Sequence, residues 1–220
     1  MFGGLPEWVF NLLTMLLMGW TIKLLDDHLD SEYDIARGER TLAVRLGRSA
    51  FAYGMVSALL AAALNQSLAI ALFFSSYAVG MFTDVREKQP THLPAYVECA
   101  IAVGLSVLFA GWQTALFALA FVALVDWLDD IVDYGRDALS GERNVARSLG
   151  FVETTLLVLL ALLTAVLMQP LTTILGFVAF ALITAVSELS TERLWHTATD
   201  CDGGAVDDNL PAIKSGGDKG

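Results

Sequence analysis

DDHLDSEYDIARGERTLAVRLG, residues 26–47, and DDIVDYGRDALSGERNVARSLG, residues 129–150, align without a gap at a fixed offset of 103 residues. Ten of the 22 positions are identical: four aspartates, Gly-Glu-Arg, an alanine and the closing Leu-Gly. Chance does not readily produce that agreement, so the chain reads as two related halves. Asp27, Asp30 and Asp34 are spaced by three and four residues, which places them on one helical face. Asp126, Asp130, Asp133 and Asp137 carry the same pattern one turn further. Like charges stacked in this way repel by a few tenths of a kcal/mol per pair, about 0.2–0.5. A hard divalent cation with oxygen ligands is the natural compensation. Gly38 and Gly141 are expected to end the acidic helices, and Thr41 and Asn144 to cap the next helical turn in each half.

Outward from the motifs the chain is apolar. Of its 220 residues 55% are hydrophobic and the mean hydropathy is +0.59, too apolar for an ordinary soluble domain. The apolar residues fall in long runs and not in a core-facing stripe, which predicts spanning helices. Seven segments stand out: Trp8–Leu25, Ser49–Leu64, Leu68–Thr83, Ala95–Gly111, Trp112–Leu128, Phe151–Met168 and Leu171–Leu189. Asn65-Gln66, Gly111-Trp112 and Gln169-Pro170 separate pairs of them by tight turns. The first run has no basic leader or small-residue cleavage site and reads as a retained helix.

Seven spans put those three turns and the N-terminus on one side, and the acidic loops and C-terminus on the other. All 13 Lys and Arg residues lie on or beside the second side, which the positive-inside rule makes cytoplasmic. Four spans separate the two copies, so the halves share one orientation, a parallel repeat about an axis along the membrane normal. The net charge of −11 is concentrated in the two motifs and the tail, and marks no acidic solvating protein or nucleic-acid partner. The expected fold is thus all-α: a polytopic helical bundle over 1–196, with motifs at 26–47 and 126–150. From 197 to 220 a Gly- and Asp-rich stretch reads as a disordered cytoplasmic tail. Cys99 and Cys201 offer no disulfide framework.

Two matched acidic motifs resemble those of the UbiA-type intramembrane prenyltransferases. The family's second motif has the form DxxxxxxDxxxDxxxGx[KR], and Asp126, Asp133, Asp137, Gly141 and Arg143 fall in that register. Asp30, Asp34, Gly38, Arg40 and Thr41 resemble it in the first copy. A basic KxxTHLP loop between the motifs is matched by Lys88 and Thr91-His92-Leu93-Pro94. The similarity covers about Trp8 to Leu189. It differs from the family in opening with Asp26-Asp27 instead of Asn-Asp, in carrying Gly-Glu-Arg-Thr where an Arg-Pro pair is usual, and in having fewer spans.

That resemblance implies an enzyme that transfers a prenyl group from an isoprenoid diphosphate to a lipophilic acceptor, possible acceptors including aromatic or quinone-precursor molecules, within the bilayer of the cell membrane. Mg²⁺ or Mn²⁺ would be held by Asp27, Asp30, Asp34, Asp130, Asp133 and Asp137, with Asp26, Asp126 and Asp129 as further candidates. Lys88, Arg40 and Arg143 would bind the diphosphate, and Asp30, Asp133 and Lys88 are the expected catalytic residues. Alternatives are a cyclase or lyase acting on a prenyl diphosphate, a non-catalytic binding protein and a divalent-cation transporter. Transport sites usually lie near the midplane, whereas these acids cluster at one face. His28 and His92 read as structural, Tyr33, Tyr77 and Tyr96 as interfacial, and Glu98 and Glu153 as reaching the headgroups. Trp8, Trp20 and Trp112 read as belt anchors.

Overall fold

The computed structural model describes residues 6–29, 41–80, 91–135 and 144–202, with side chains through 190. Every regular element among them is helical: α1 (Glu7–Leu29), α2 (Leu42–Leu46), α3 (Ser49–Leu64), α4 (Gln66–Gly80), α5 (Ala95–Ala110), α6 (Trp112–Val132), α7 (Val145–Leu149), α8 (Phe151–Met168) and α9 (Pro170–Asp202). Three stretches, α1, α8 and residues Pro170–Ser190 of α9, are long and apolar enough to cross a membrane. α3, α4 and α5 are apolar but shorter, at 15–16 residues.

Single residues break the chain where the turns are expected. Asn65 stands between α3 and α4, Gly111 between α5 and α6, and Gln169 between α8 and α9. Gly111 holds φ 81°, ψ 155°, a conformation essentially closed to residues with a Cβ. Asn65 accepts a hydrogen bond from the Leu68 amide through Oδ1 (3.1 Å) and donates to Asn11 Oδ1 (2.8 Å), tying the α3–α4 turn to the start of α1. Trp8 and Trp112 are exposed at that same end, where α1 and α6 begin.

Small and hydroxylated residues make the helix contacts. α3 buries Ala50, Gly54, Ser57 and Ala61, and α8 buries Thr154, Val158, Ala161 and Ala165, at the same four-three-four spacing. α3 lies on α1 and α8 on α6. Between α1 and α3 the Leu17 carbonyl accepts from both Thr21 Oγ1 (2.9 Å) and Ser57 Oγ (2.8 Å), and Thr21 also reaches the Gly54 carbonyl (3.2 Å). A central cluster of Met15, Met18, Phe117, Phe121 and Leu124 joins α1 to α6, with Leu68 and Leu72 of α4 and smaller residues of α3, α8 and α9 completing it. Large aliphatic side chains instead face outward, Leu59, Leu108 and Leu156 being 68%, 73% and 61% exposed. In water such a surface would be an extended aggregation-prone patch. With small residues at the contacts and large ones outside, the bundle has the packing of helices in lipid.

The short helices α2 and α7 account for part of the repeat. Ala43 and Ala146, an identical pair, are both fully buried. The closing glycines, Gly47 and Gly150, both adopt positive φ, 53° and 116°. These identities are demands of backbone conformation and close packing, not of chemistry.

Candidate functional site

The described part of each motif emerges from the end of a long helix, the first from α1 and the second from α6. Asp30, Asp34 and Asp137, and the three basic residues Lys88, Arg40 and Arg143, lie outside the described residues. Of the remaining acids, Asp27 and Asp130 occupy equivalent positions and are both engaged internally. Asp27 is buried and accepts from Lys23 Nζ at 2.7 Å, one turn earlier on α1. Asp130 Oδ2 accepts from the Val145 amide at 2.9 Å, so its carboxylate sits at the start of α7.

Asn144 completes that second arrangement. Its Oδ1 accepts from the Arg147 amide (3.1 Å), the N-cap bond expected of it, while its Nδ2 donates to the Asp130 carbonyl (2.7 Å). The two ends of the segment between α6 and α7 are thereby fastened together. Thr41 takes the equivalent position before α2, with φ −69° and ψ 162°, but makes no side-chain cap bond. Asp133 is not within the α6 helix, where its spacing places it. It is the C-cap, at φ −92°, ψ 7°, with its amide bonded to the Asp129 carbonyl at 2.8 Å.

Asp26, Asp126 and Asp129 are exposed near the ends of α1 and α6. The Asp126 carboxyl on α6 lies within coulombic reach of Asp26 on α1, as well as of Asp129 and Asp130 on its own helix. Lys23 on α1 is likewise within reach of Asp26, Asp27 and Asp129. Among the described residues no three His, Cys, Asp or Glu side chains already stand close enough to hold one metal ion. The donor chemistry nonetheless suits a hard divalent cation: carboxylates from the ends of α1 and α6 lie within coulombic reach of one another.

A second polar arrangement lies apart from the motifs. Glu98, at the start of α5, is buried and accepts from both the Tyr77 hydroxyl on α4 and Thr91 Oγ1. It therefore does not reach toward headgroups, and Tyr77 is committed to it. Together the three fasten the chain on either side of residues 81–90. Thr91 also receives the Leu93 amide (3.4 Å), and His92 takes a positive φ of 66° in the same turn. The only sequence signal for this clamp is an acid placed one turn into an apolar helix. Glu153 also turns back on its own helix, lying over Gly150, where a Cβ would meet its Oε2 at 2.3 Å.

A cleft of about 410 Å³ opens at the opposite end of the bundle, lined by Glu7, Asn11, Asn65, Ser67, Thr114 and Gln169 among others. It holds none of the motif carboxylates. Comparison with protein-family models, curated proteins and solved structures gives no match.

Proposed function

We propose that this chain is a divalent-metal-dependent intramembrane prenyltransferase of UbiA type, built from two pseudo-repeated halves with seven spans. The observation that carries the reading is the pairing of the two acidic motifs. Carboxylates from the ends of α1 and α6 come within coulombic reach of each other at one end of an apolar bundle. The repeat is supported by the helix bounds: α1 and α6 end at Leu29 and Val132, and α2 and α7 span 42–46 and 145–149, all at the offset of 103. It is supported again by the contacts, since α1 packs on α3 and α9 while α6 packs on α8 and α4.

A prenyl diphosphate matches this architecture in both of its parts. Its charged head suits carboxylates that can share Mg²⁺ or Mn²⁺, and its tail suits an apolar bundle. The metal would be held by Asp26, Asp126 and Asp129 with Asp27, Asp30, Asp34, Asp130, Asp133 and Asp137. When bound it supplies Lewis-acid neutralisation of the diphosphate oxygens, which favours departure of diphosphate. Arg40, Arg143 and Lys88 add positive charge for those oxygens, Arg in bidentate fashion. The clamp of Glu98, Tyr77 and Thr91 joins the chain on the two sides of the segment that carries Lys88. Surrounding apolar helices exclude water from the allylic carbon. The lipophilic acceptor would approach from the bilayer.

Purified protein in lipid nanodiscs, given geranylgeranyl diphosphate, Mg²⁺ and a lipophilic quinone-precursor acceptor, is expected to release inorganic diphosphate, and to bind the prenyl diphosphate only with Mg²⁺ or Mn²⁺ present. Asp30→Ala and Asp133→Ala should abolish binding. Undiminished binding in EDTA overturns the metal-dependent reading. Release that needs no acceptor assigns the chain to cyclase or lyase chemistry instead.

A further inference from the structure

The offset of 103 that superposes the two motifs also pairs Lys23 with Asp126. Both sit one turn before the acidic pair of their half, Asp26-Asp27 and Asp129-Asp130. The first half thus places an ammonium where the second places a carboxylate. Lys23 Nζ bonds Asp27 Oδ1 at 2.7 Å, and both Lys23 and Asp126 are within coulombic reach of Asp26 and of Asp129. The exchange therefore reverses the sign of charge at one of two matched positions bordering the same acidic space.

Helix stabilisation alone is a poor account of this pair. A lysine N-terminal to its acid at i,i+4 is the weaker of the two orientations, set against the helix dipole. Charge balance explains it better. Asp27 is buried while Lys23 is half-exposed, so the ammonium neutralises a carboxylate that would otherwise be stranded and remains within coulombic reach of Asp26 and Asp129.

We propose that Lys23 is a resident counter-ion that competes with divalent metal for Asp27, making the metal site asymmetric and centring it on the second motif. This rests on the prenyl-diphosphate reading of the site. A built-in cation keeps the first half assembled when no metal is bound, and lowers the number of negative charges available to one. Removing it restores that charge, and the affinity of oxygen-ligand sites follows ligand charge count.

The test is Mn²⁺ binding by the full-length chain in nanodiscs, followed by electron paramagnetic resonance of the free ion with no diphosphate present. Lys23→Met is expected to bind Mn²⁺ about tenfold more tightly than the unaltered protein, because it adds one net negative charge at the site. Lys23→Arg keeps the charge and should match the unaltered protein. Lys23→Met combined with Asp27→Asn removes the ammonium and its carboxylate together, so it should lose the tightening and bind Mn²⁺ no more tightly than the unaltered protein, and it guards against a folding defect from stranding Asp27. Mn²⁺ affinity unchanged or weakened in Lys23→Met overturns the counter-ion role and leaves the wider reading standing. If neither the unaltered protein nor Lys23→Met binds Mn²⁺, even with inorganic diphosphate added, the metal-dependent reading falls, and this inference with it.

Discussion

Replacing Asn144 by alanine removes two bonds at once: the cap on the Arg147 amide and the donation to the Asp130 carbonyl. Loss of an N-cap alone costs about 0.5–2 kcal/mol, and Asn144 is buried, so water does not replace its partners. Asn144→Ala is expected to destabilise the protein by about 1–2 kcal/mol, seen as a lower midpoint in denaturant titration of the reconstituted protein. Asn144→Asp keeps the cap acceptor but not the donor, and should fall between the two; a midpoint for Asn144→Ala equal to the unaltered protein refutes the fastening role. At this scale the sequence is partly legible. A cap at Asn144 is implied by a polar residue after Gly-Glu-Arg and before an apolar turn. That Asp130 spends its carboxylate on the Val145 amide is not implied, because spacing places an acid on a face without saying which atom it meets. Glu98 is misread from sequence for the same reason: its partners, Tyr77 and Thr91, lie across a helix boundary and become neighbours only when α4 and α5 pack.

Among the elements, α9 is seated most tightly where it has no side chain. A Cβ on Gly176 would stand 2.4 Å from Phe121 Cζ on α6 and 2.7 Å from Met15 Cε on α1. With Gly176→Val either Phe121 and Met15 must shift or α9 must move away, and overpacking of this kind costs about 1–3 kcal/mol. Gly104 on α5 has nothing within 4 Å of its Cβ position, so Gly104→Ala serves as the control and should not destabilise. Thermal unfolding of both variants in the same detergent would separate them, and equal midpoints would contradict the packing at Gly176. Helix limits are the most legible feature of the sequence. Ser49–Leu64 and Phe151–Met168 coincide with α3 and α8, because Gly, Asn and Gln-Pro breakers interrupt otherwise continuous apolar runs. The acidic ends are less legible. α1 and α6 run beyond the apolar limits Leu25 and Leu128 into the motifs, to Leu29 and Val132, since charge ends an apolar run without ending a helix. α9 continues to Asp202, past the point at which the composition turns polar.

For the whole molecule, the decisive question is whether the two halves share one site. The one-sided basic residues predict that a reporter fused after Gly220 reads cytoplasmic and one inserted at Gln66 reads external; both on one side would refute the seven-span arrangement. Both motifs then face the same compartment. Asp26 comes from α1 and Asp126 from α6, and their carboxyl groups lie within coulombic reach of each other. If each contributes to one metal–diphosphate cluster, removing either disables the same assembly, and removing the other afterwards has little left to disable. Asp26→Asn and Asp126→Asn are each expected to lower turnover by about 10–100-fold or more, the range seen when groups supporting a metal are lost. The double variant should be scarcely worse than the poorer single one. Two independent sites would instead give losses that multiply, the double variant falling by the product of the singles. Steady-state kinetics on the four proteins at saturating Mg²⁺ would distinguish the cases, and multiplicative losses would remove the shared site from the proposal.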